Sequence, residues 1–207
     1  MDAPPTTAPE ATPALDLSGF RTLEELAKAA QDCKACGLAK ARRHAFSGFG
    51  TGSSGVLFID ETPGVAADAG ESPLQGPAGE LLANIVTKGM GLPLDAVRLA
   101  SLVQCQPSAG APAEPSELST CRSWLARQLD LLEPRVLVTL GRPASTAVLG
   151  VEAPLGRLRG EIHSAFGYQV VATYHPEYLV RSPQFKKQAW EDIQLAMTVA
   201  GIPLPKR

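Results

Sequence analysis

The chain is poor in the features that announce the commonest binding functions. Its 207 residues include only four cysteines, and its 19 Lys and Arg are outnumbered by 21 Asp and Glu. The resulting formal charge of −2 excludes a globally basic nucleic-acid binder, so any anion site has to be a local patch. No basic start leads into an apolar stretch, and no apolar run reaches membrane-spanning length, so a soluble, cytoplasmic protein with no membrane partner is expected. Nothing repeats internally. In a reducing compartment, cysteines this sparse are read as metal-binding or catalytic before they are read as disulfides. What is present is an apolar fraction of 44%, enough for a real core in one α/β domain with extensions.

Residues 1–18, "MDAPPTTAPEATPALDLS", carry too few large apolar side chains to offset the entropy of ordering and are expected to lie outside a domain spanning residues 19–207. "TLEELAKAA" has helical spacing and delivers the chain to Cys33. "GVLFID" reads as a buried strand stopping at Asp60-Glu61-Thr62-Pro63-Gly64. "GPAGELLANIVTKGMG" opens on Pro77 and repeats apolar residues at Leu81, Leu82, Ile85 and Val86, the mark of an amphipathic helix.

"VRLASLVQC" is expected as a second strand, followed by a helix on which Leu118, Leu125, Leu129 and Leu132 share a face and Cys121 points inward. "RVLVTLG" and "YQVVATYHP" read as further strands, and a final helix packs through Ala189, Ile193, Ala196 and Met197. Strands alternating with helices predict a three-layer α-β-α sandwich around a mainly four-stranded parallel sheet, with ligands beyond the carboxyl ends of the strands.

Three polar stretches fall at those ends: "DETPG", "SLVQCQP" and "HPEYLVRSP". Each alone has an ordinary explanation, since acidic residues before Pro-Gly form turns and a His-Pro often serves a loop carbonyl. Their convergence is the signal. The cysteines follow C-x₂-C (Cys33, Cys36), a long gap, then C-x₁₅-C (Cys105, Cys121). Four thiolates in this arrangement suit a structural zinc or an iron–sulfur cubane, and spacing alone leaves that choice open. A thioredoxin-like redox pair fits less well, because that motif sits where a strand meets a helix, whereas Cys33 follows a helix.

"CKACGLAKARRHAFSGFG", "DETPG", "ESPLQGPAGELL", "LVQCQPS", "ELSTCRSWLARQLDLLEPRVLVTLG" and "VVATYHPEYLVRSP", in this order, resemble the iron–sulfur (family four) uracil-DNA glycosylases over nearly everything after residue 30. The resemblance implies that Cys33, Cys36, Cys105 and Cys121 ligate a structural [4Fe-4S] cluster. It further implies a DNA-acting monomer that extrudes a deaminated base and hydrolyses its N-glycosidic bond. Glu61, helped by Asp60, would orient water and stabilise the sugar cation, and His175 would stabilise the departing base anion. Backbone groups around Thr62 and Gly64 would complete the pocket. Arg181 and Ser182 would meet phosphates, and Tyr178 or Leu179 would fill the vacated stack. Arg42 and Arg43 would extend that patch.

The chain departs from the family pattern at the base. Members typically read Gly-Glu-Ala-Pro-Gly where this chain has Asp60 and Thr62 around Glu61. Leu74 stands where a stacking Phe is usual, and Ser101 where an Asn reads the base edge. An Asn amide fixes one donor and one acceptor, while a hydroxyl rotates to suit either pattern, so poor discrimination is expected at Ser101. A rival reading is a cluster-bearing DNA-binding protein that no longer excises. A third is a zinc-stabilised protein unrelated to DNA.

Overall fold

The computed structural model describes residues 15–108 and 111–205. Helix α1 (Leu23–Asp32) opens at Thr22, whose hydroxyl accepts from the Glu25 N–H while the Glu25 carboxylate accepts from the Thr22 N–H. This reciprocal cap fixes where the helix begins. In chain order there follow β1 (Val56–Asp60), α2 (Val65–Asp68), α3 (Gly76–Asn84), β2 (Arg98–Ser101), α4 (Pro115–Leu132), β3 (Val136–Leu140) and α5 (Gly141–Leu149). The chain continues through α6 (Leu155–Leu158), β4 (Ile162–Ala165), β5 (Tyr168–Thr173), α7 (Pro176–Arg181) and α8 (Lys186–Ala200). Among the described residues no helix is long and apolar enough to cross a membrane.

The sheet runs β2-β1-β3-β5-β4, with β2, β1, β3 and β5 mutually parallel and β4 antiparallel to β5. Alternate residues of each strand feed opposite faces. Val56, Phe58, Val136 and Val138 join Leu82, Val86, Ile193 and Met197 of α3, the turn after it and α8. Leu57, Ile59 and Leu137 join Leu125, Leu129 and Val148 of α4 and α5 on the other face. The expected three layers are therefore present. The outer side of α4 carries a third cluster, in which Trp124 and Cys121 meet Leu26 and Ala30 of α1. Of the stretch expected to lie outside the domain, residues 1–14 fall outside the described residues; Leu17 is buried in this third cluster, and the Leu15 N–H donates to Ser123 Oγ at 3.1 Å.

Two elements differ from expectation. The second strand ends at Ser101 instead of running to Cys105. The Leu102 and Val103 N–H groups follow the Asp60 and Glu61 carbonyls, at 2.9 and 3.4 Å, as the chain bends away, and Gln104 turns toward α4. The edge strand β4, not anticipated, forms a hairpin with β5 through Phe166 and Gly167, both in the left-handed region at φ 54° and 82°. A two-residue turn needs this backbone, and Asn-Gly is its usual signature. Here Phe takes the first place, and the Arg122 guanidinium carbon lies 4.3 Å from its ring centroid.

The Gly-Pro-Ala-Gly entry to α3 has a steric cause. Gly76, at φ 74°, turns the chain so that the Leu74 backbone lies against the first turn of the helix. A β-carbon on Gly79 would stand 2.1 Å from the Leu74 carbonyl carbon. Gly79→Ala is therefore expected to cost ~1–3 kcal/mol by overpacking. Gly156→Ala on α6, where an added carbon meets nothing within 4 Å, is expected to be neutral or to stabilise by ~0.5–1 kcal/mol. Urea unfolding of the two variants beside the parent checks both.

Candidate active site

The sheet order reverses between β1 and β3, because the chain leaves β1 for β2 on one side and returns past it to β3 on the other. A crevice opens at such a point beyond the strands' carboxyl ends. Asp60 closes β1 and His175 follows β5 by two residues, so the two come from strands separated by β3, roughly 10 Å apart at the backbone. Their side chains meet over the end of β3: His175 Nε2 lies 2.9 Å from Asp60 Oδ2. Gly141, which begins α5 at φ 82°, makes room, since a β-carbon there would stand 3.1 Å from the His175 Cβ.

The ring's tautomer follows from its second bond. His175 is the N-cap of α7, and its Nδ1 accepts from the Glu177 N–H at 3.1 Å. An accepting Nδ1 leaves the proton of the neutral ring on Nε2, which donates to Asp60. Burial disfavours the imidazolium, but the hydrogen bond and charge of Asp60, with Glu177 adding to them, outweigh it and raise the His175 pKa. A second proton would enter at Nδ1 and displace the helix cap, so Asp60 and the cap act on the ring in opposite senses. Asp60 is itself held, its Oδ1 accepting from the Glu61 N–H at 2.7 Å.

An inner pocket of about 70 Å³ is walled by Phe46, Leu74, Leu82, Leu99 and Ala100, with Asp60, Thr62 and His175 as its polar groups. It opens into a cleft of about 600 Å³ that adds Glu61, Gly64, Gln106, Tyr178 and Arg181. Few polar groups converging on an apolar recess is the usual character of a ligand site. Asp60 and not Glu61 is the carboxylate of the inner pocket. Glu61 lies at the mouth, where burial raises its pKa and the Asp60 charge adds to the shift, against the Ala113 amide and His175.

Several expected site residues are placed differently. Ser101 is fully buried, lines neither space, and gives its hydroxyl proton to the Val103 carbonyl at 2.7 Å, which leaves no donor for a base edge. The Gly64 N–H is taken by Gln106 Oε1 at 2.7 Å, so it is not free to bind a base. Leu179 is only 2% exposed because "HPEYLVR" forms α7 and turns that residue inward, so it cannot be a wedge. Tyr178 is 39% exposed and packs with Tyr174 and Phe185, with ring centroids 5.1 to 5.5 Å apart. Arg181 borders the cleft and Ser182 does not.

Phe46 and Arg98 lie within stretches quoted above but were not singled out there as site residues. Arg98 is a buried cation whose Nη1 donates to the Gly50 carbonyl at 2.7 Å and whose Nη2 donates to the Ser47 carbonyl. Burial lowers its pKa to about 10, which still leaves it charged near neutrality.

The four cysteines gather in the third apolar cluster, Cys33 and Cys36 partly buried, Cys105 and Cys121 buried. Burial pushes the Cys121 thiol up to about 12, and the charges of Cys105, Cys36 and Cys33 add to the shift despite the Gln104 N–H, 3.4 Å from its sulfur. Arg42 Nη1 donates to Cys105 Sγ at 3.3 Å and to the Cys33 carbonyl at 2.8 Å. Among the described residues no three His, Cys, Asp or Glu side chains converge tightly enough to hold a single metal ion. Arg43 is exposed, with its N–H donating to Asp68 Oδ1 at 2.9 Å.

Residues 47–194 match the family described as the uracil DNA glycosylase superfamily. A type-4 uracil-DNA glycosylase of Saccharolobus solfataricus is 30% identical over 83% of this chain and 83% of its own. One from Thermotoga maritima is 30% identical over 84% and 92%. One from Archaeoglobus fulgidus is 26% identical over 88% and 95%.

Because Asp60 raises the His175 pKa, the pair contributes stability that is fully present below the unfolded histidine value of ~6.5 and is lost as pH rises through the folded value. Asp60→Asn removes the charge, so the His175 pKa is expected to fall and this loss of stability above pH ~6.5 to flatten. Imidazole nitrogen shifts followed by NMR against pH, with urea unfolding at several pH values, measure both.

Proposed function

The chain belongs to the uracil-DNA glycosylase superfamily, and from this we propose that it is a DNA-repair hydrolase that removes uracil, or a related deaminated base, from DNA. The observation that carries the proposal is an apolar recess to which His175 and Asp60 bring polar groups, with Glu61 at its mouth. In the reaction the bond from C1′ to the base nitrogen breaks and its electron pair leaves with the base. Positive charge stays on the sugar until water attacks C1′ and passes a proton to the Glu61 carboxylate, while the base anion takes its proton from solvent. Glu61, on the outer side, suits the cation and the water. His175, on the inner side, suits the negative charge on the base, and Asp60 favours the protonated ring that would offset it.

DNA would approach along the cleft. Arg181 and the exposed Tyr178 beside it suit a phosphate and an unstacked base, respectively. With a net charge of −2, binding is expected to rest on few phosphate contacts and to weaken modestly with salt.

Cys33, Cys36, Cys105 and Cys121 would hold a [4Fe-4S] cluster. Burial, with the neighbouring sulfurs adding to it, raises the pKa of Cys105 and Cys121, so these two need a cationic partner to exist as thiolates, and a cubane accepts more widely spread ligands than one zinc ion. The cluster would tie α1, the segment after β2 and α4 together, and base hydrolysis asks no electron of it.

Two observations favour the non-excising reading. The ring proton of His175 is already committed to Asp60, and Ser101 offers nothing to the base. Excision assays on oligonucleotides carrying uracil, hypoxanthine or xanthine separate the two. Release of uracil, lowered at least ~100-fold by His175→Ala or Glu61→Gln, is the expected result. Salt-sensitive DNA binding with no base released would select the alternative. Protein purified without oxygen is expected to be brown, with iron and acid-labile sulfide, and Cys121→Ser is expected to lose both colour and thermal stability. Colourless protein holding one tight zinc would overturn the cluster.

A further inference from the structure

We infer that Phe46 supplies the aromatic face against which an extruded base lies, taking over the stacking that Leu74 cannot provide. The inference rests on the glycosylase reading and names a specificity-determining residue for it. Of the residues walling the inner pocket, Phe46 is the only Phe, Tyr or Trp, and it shares that pocket with Leu74, Asp60 and His175. It precedes β1 by ten residues and lies outside the stretch that carries Leu74, so it reaches the pocket through the fold and not through the motif.

The backbone that carries the ring is held at several points. The Phe46 N–H donates to the Gln104 carbonyl at 2.6 Å, and three residues on, Phe49 exchanges both backbone bonds with Leu99, at 2.9 and 2.8 Å. Arg98 grips the carbonyls of Ser47 and Gly50, the residues that follow Phe46 and Phe49. The side chain is partly buried, packs against the core cluster that contains Leu82 and Leu99, and lines the pocket. An aromatic pinned in this way pays little ordering entropy when a base arrives, and stacking on such a face is insensitive to the base's edge. With Ser101 withdrawn from the edge, the site would hold planar bases mainly by their faces. That points to a substrate class of several deaminated bases and not uracil alone.

The test compares the parent, Phe46→Leu and Phe46→Tyr for binding to two oligonucleotides. One carries 2′-fluoro-2′-deoxyuridine, whose glycosidic bond resists hydrolysis, and the other a tetrahydrofuran abasic analogue with no base to stack. Phe46→Leu is expected to weaken binding to the first about tenfold, ~1.4 kcal/mol, and to leave the second unchanged, while Phe46→Tyr restores the first. An equal loss on both oligonucleotides, or no loss on either, overturns the assignment. If the parent itself prefers neither oligonucleotide to undamaged DNA, the glycosylase reading fails and takes this inference with it.

Discussion

The site depends on a contact between two strands that are not neighbours. Asp60 and His175 come from β1 and β5, and the 2.9 Å bond between them has to pass over the end of β3. It can do so because β3 gives way there to Gly141, whose φ of 82° and missing side chain leave a passage. The parallel register brings the ends level: Ile59 is paired with Thr139, and Leu140 with Thr173, so Asp60, Leu140 and Thr173 finish at one height. A slip of one residue in either pairing would turn one of the two side chains to the other face of the sheet. Register, glycine and bond are thus one constraint, and the inner pocket lies directly beneath it.

The end of β5 is braced against the middle of α8 by a second buried group. Asp192, fully buried, accepts from Arg159 through both oxygens, at 2.9 and 3.1 Å, and from the Thr173 hydroxyl at 2.9 Å. A carboxylate with three donors in the interior is satisfied as few buried charges are, and it fixes the chain two residues before His175. The cap on α7 then holds the ring from the other side.

Much of this was legible in the order of residues. The apolar runs of β1, β3 and β5 and the spaced leucines of α4 announce buried strands and an amphipathic helix, because burial on both faces or on one stripe leaves those patterns. The three polar stretches at the strand ends do converge. What failed was local. Phe166-Gly167 hides a hairpin, because the cost of a left-handed Phe is met by Arg122, a partner remote in sequence. Ser101 looks like a base reader until its hydroxyl finds a carbonyl two residues on. Leu179 looks like a wedge until Pro176 starts a helix that turns it inward. Phe46 carried only a faint signal, an aromatic ahead of a glycine-rich loop, and the residues that share its pocket come from five other segments.

Cys105 stands between Gln104 and Gln106, of which the first supports a wall of the inner pocket and the second a wall of the cleft. The Gln104 carbonyl receives the Phe46 N–H, and the Gln106 side chain receives the Gly64 N–H. Gln104 also gives its own N–H to the sulfur of Cys121. Three consecutive residues therefore act as a single strut with one end in the thiol cluster and the other in the walls of the recess. The backbone that carries one of the four thiols is thus the same backbone that supports Phe46 and Gly64, so the thiol cluster and the site share a single support.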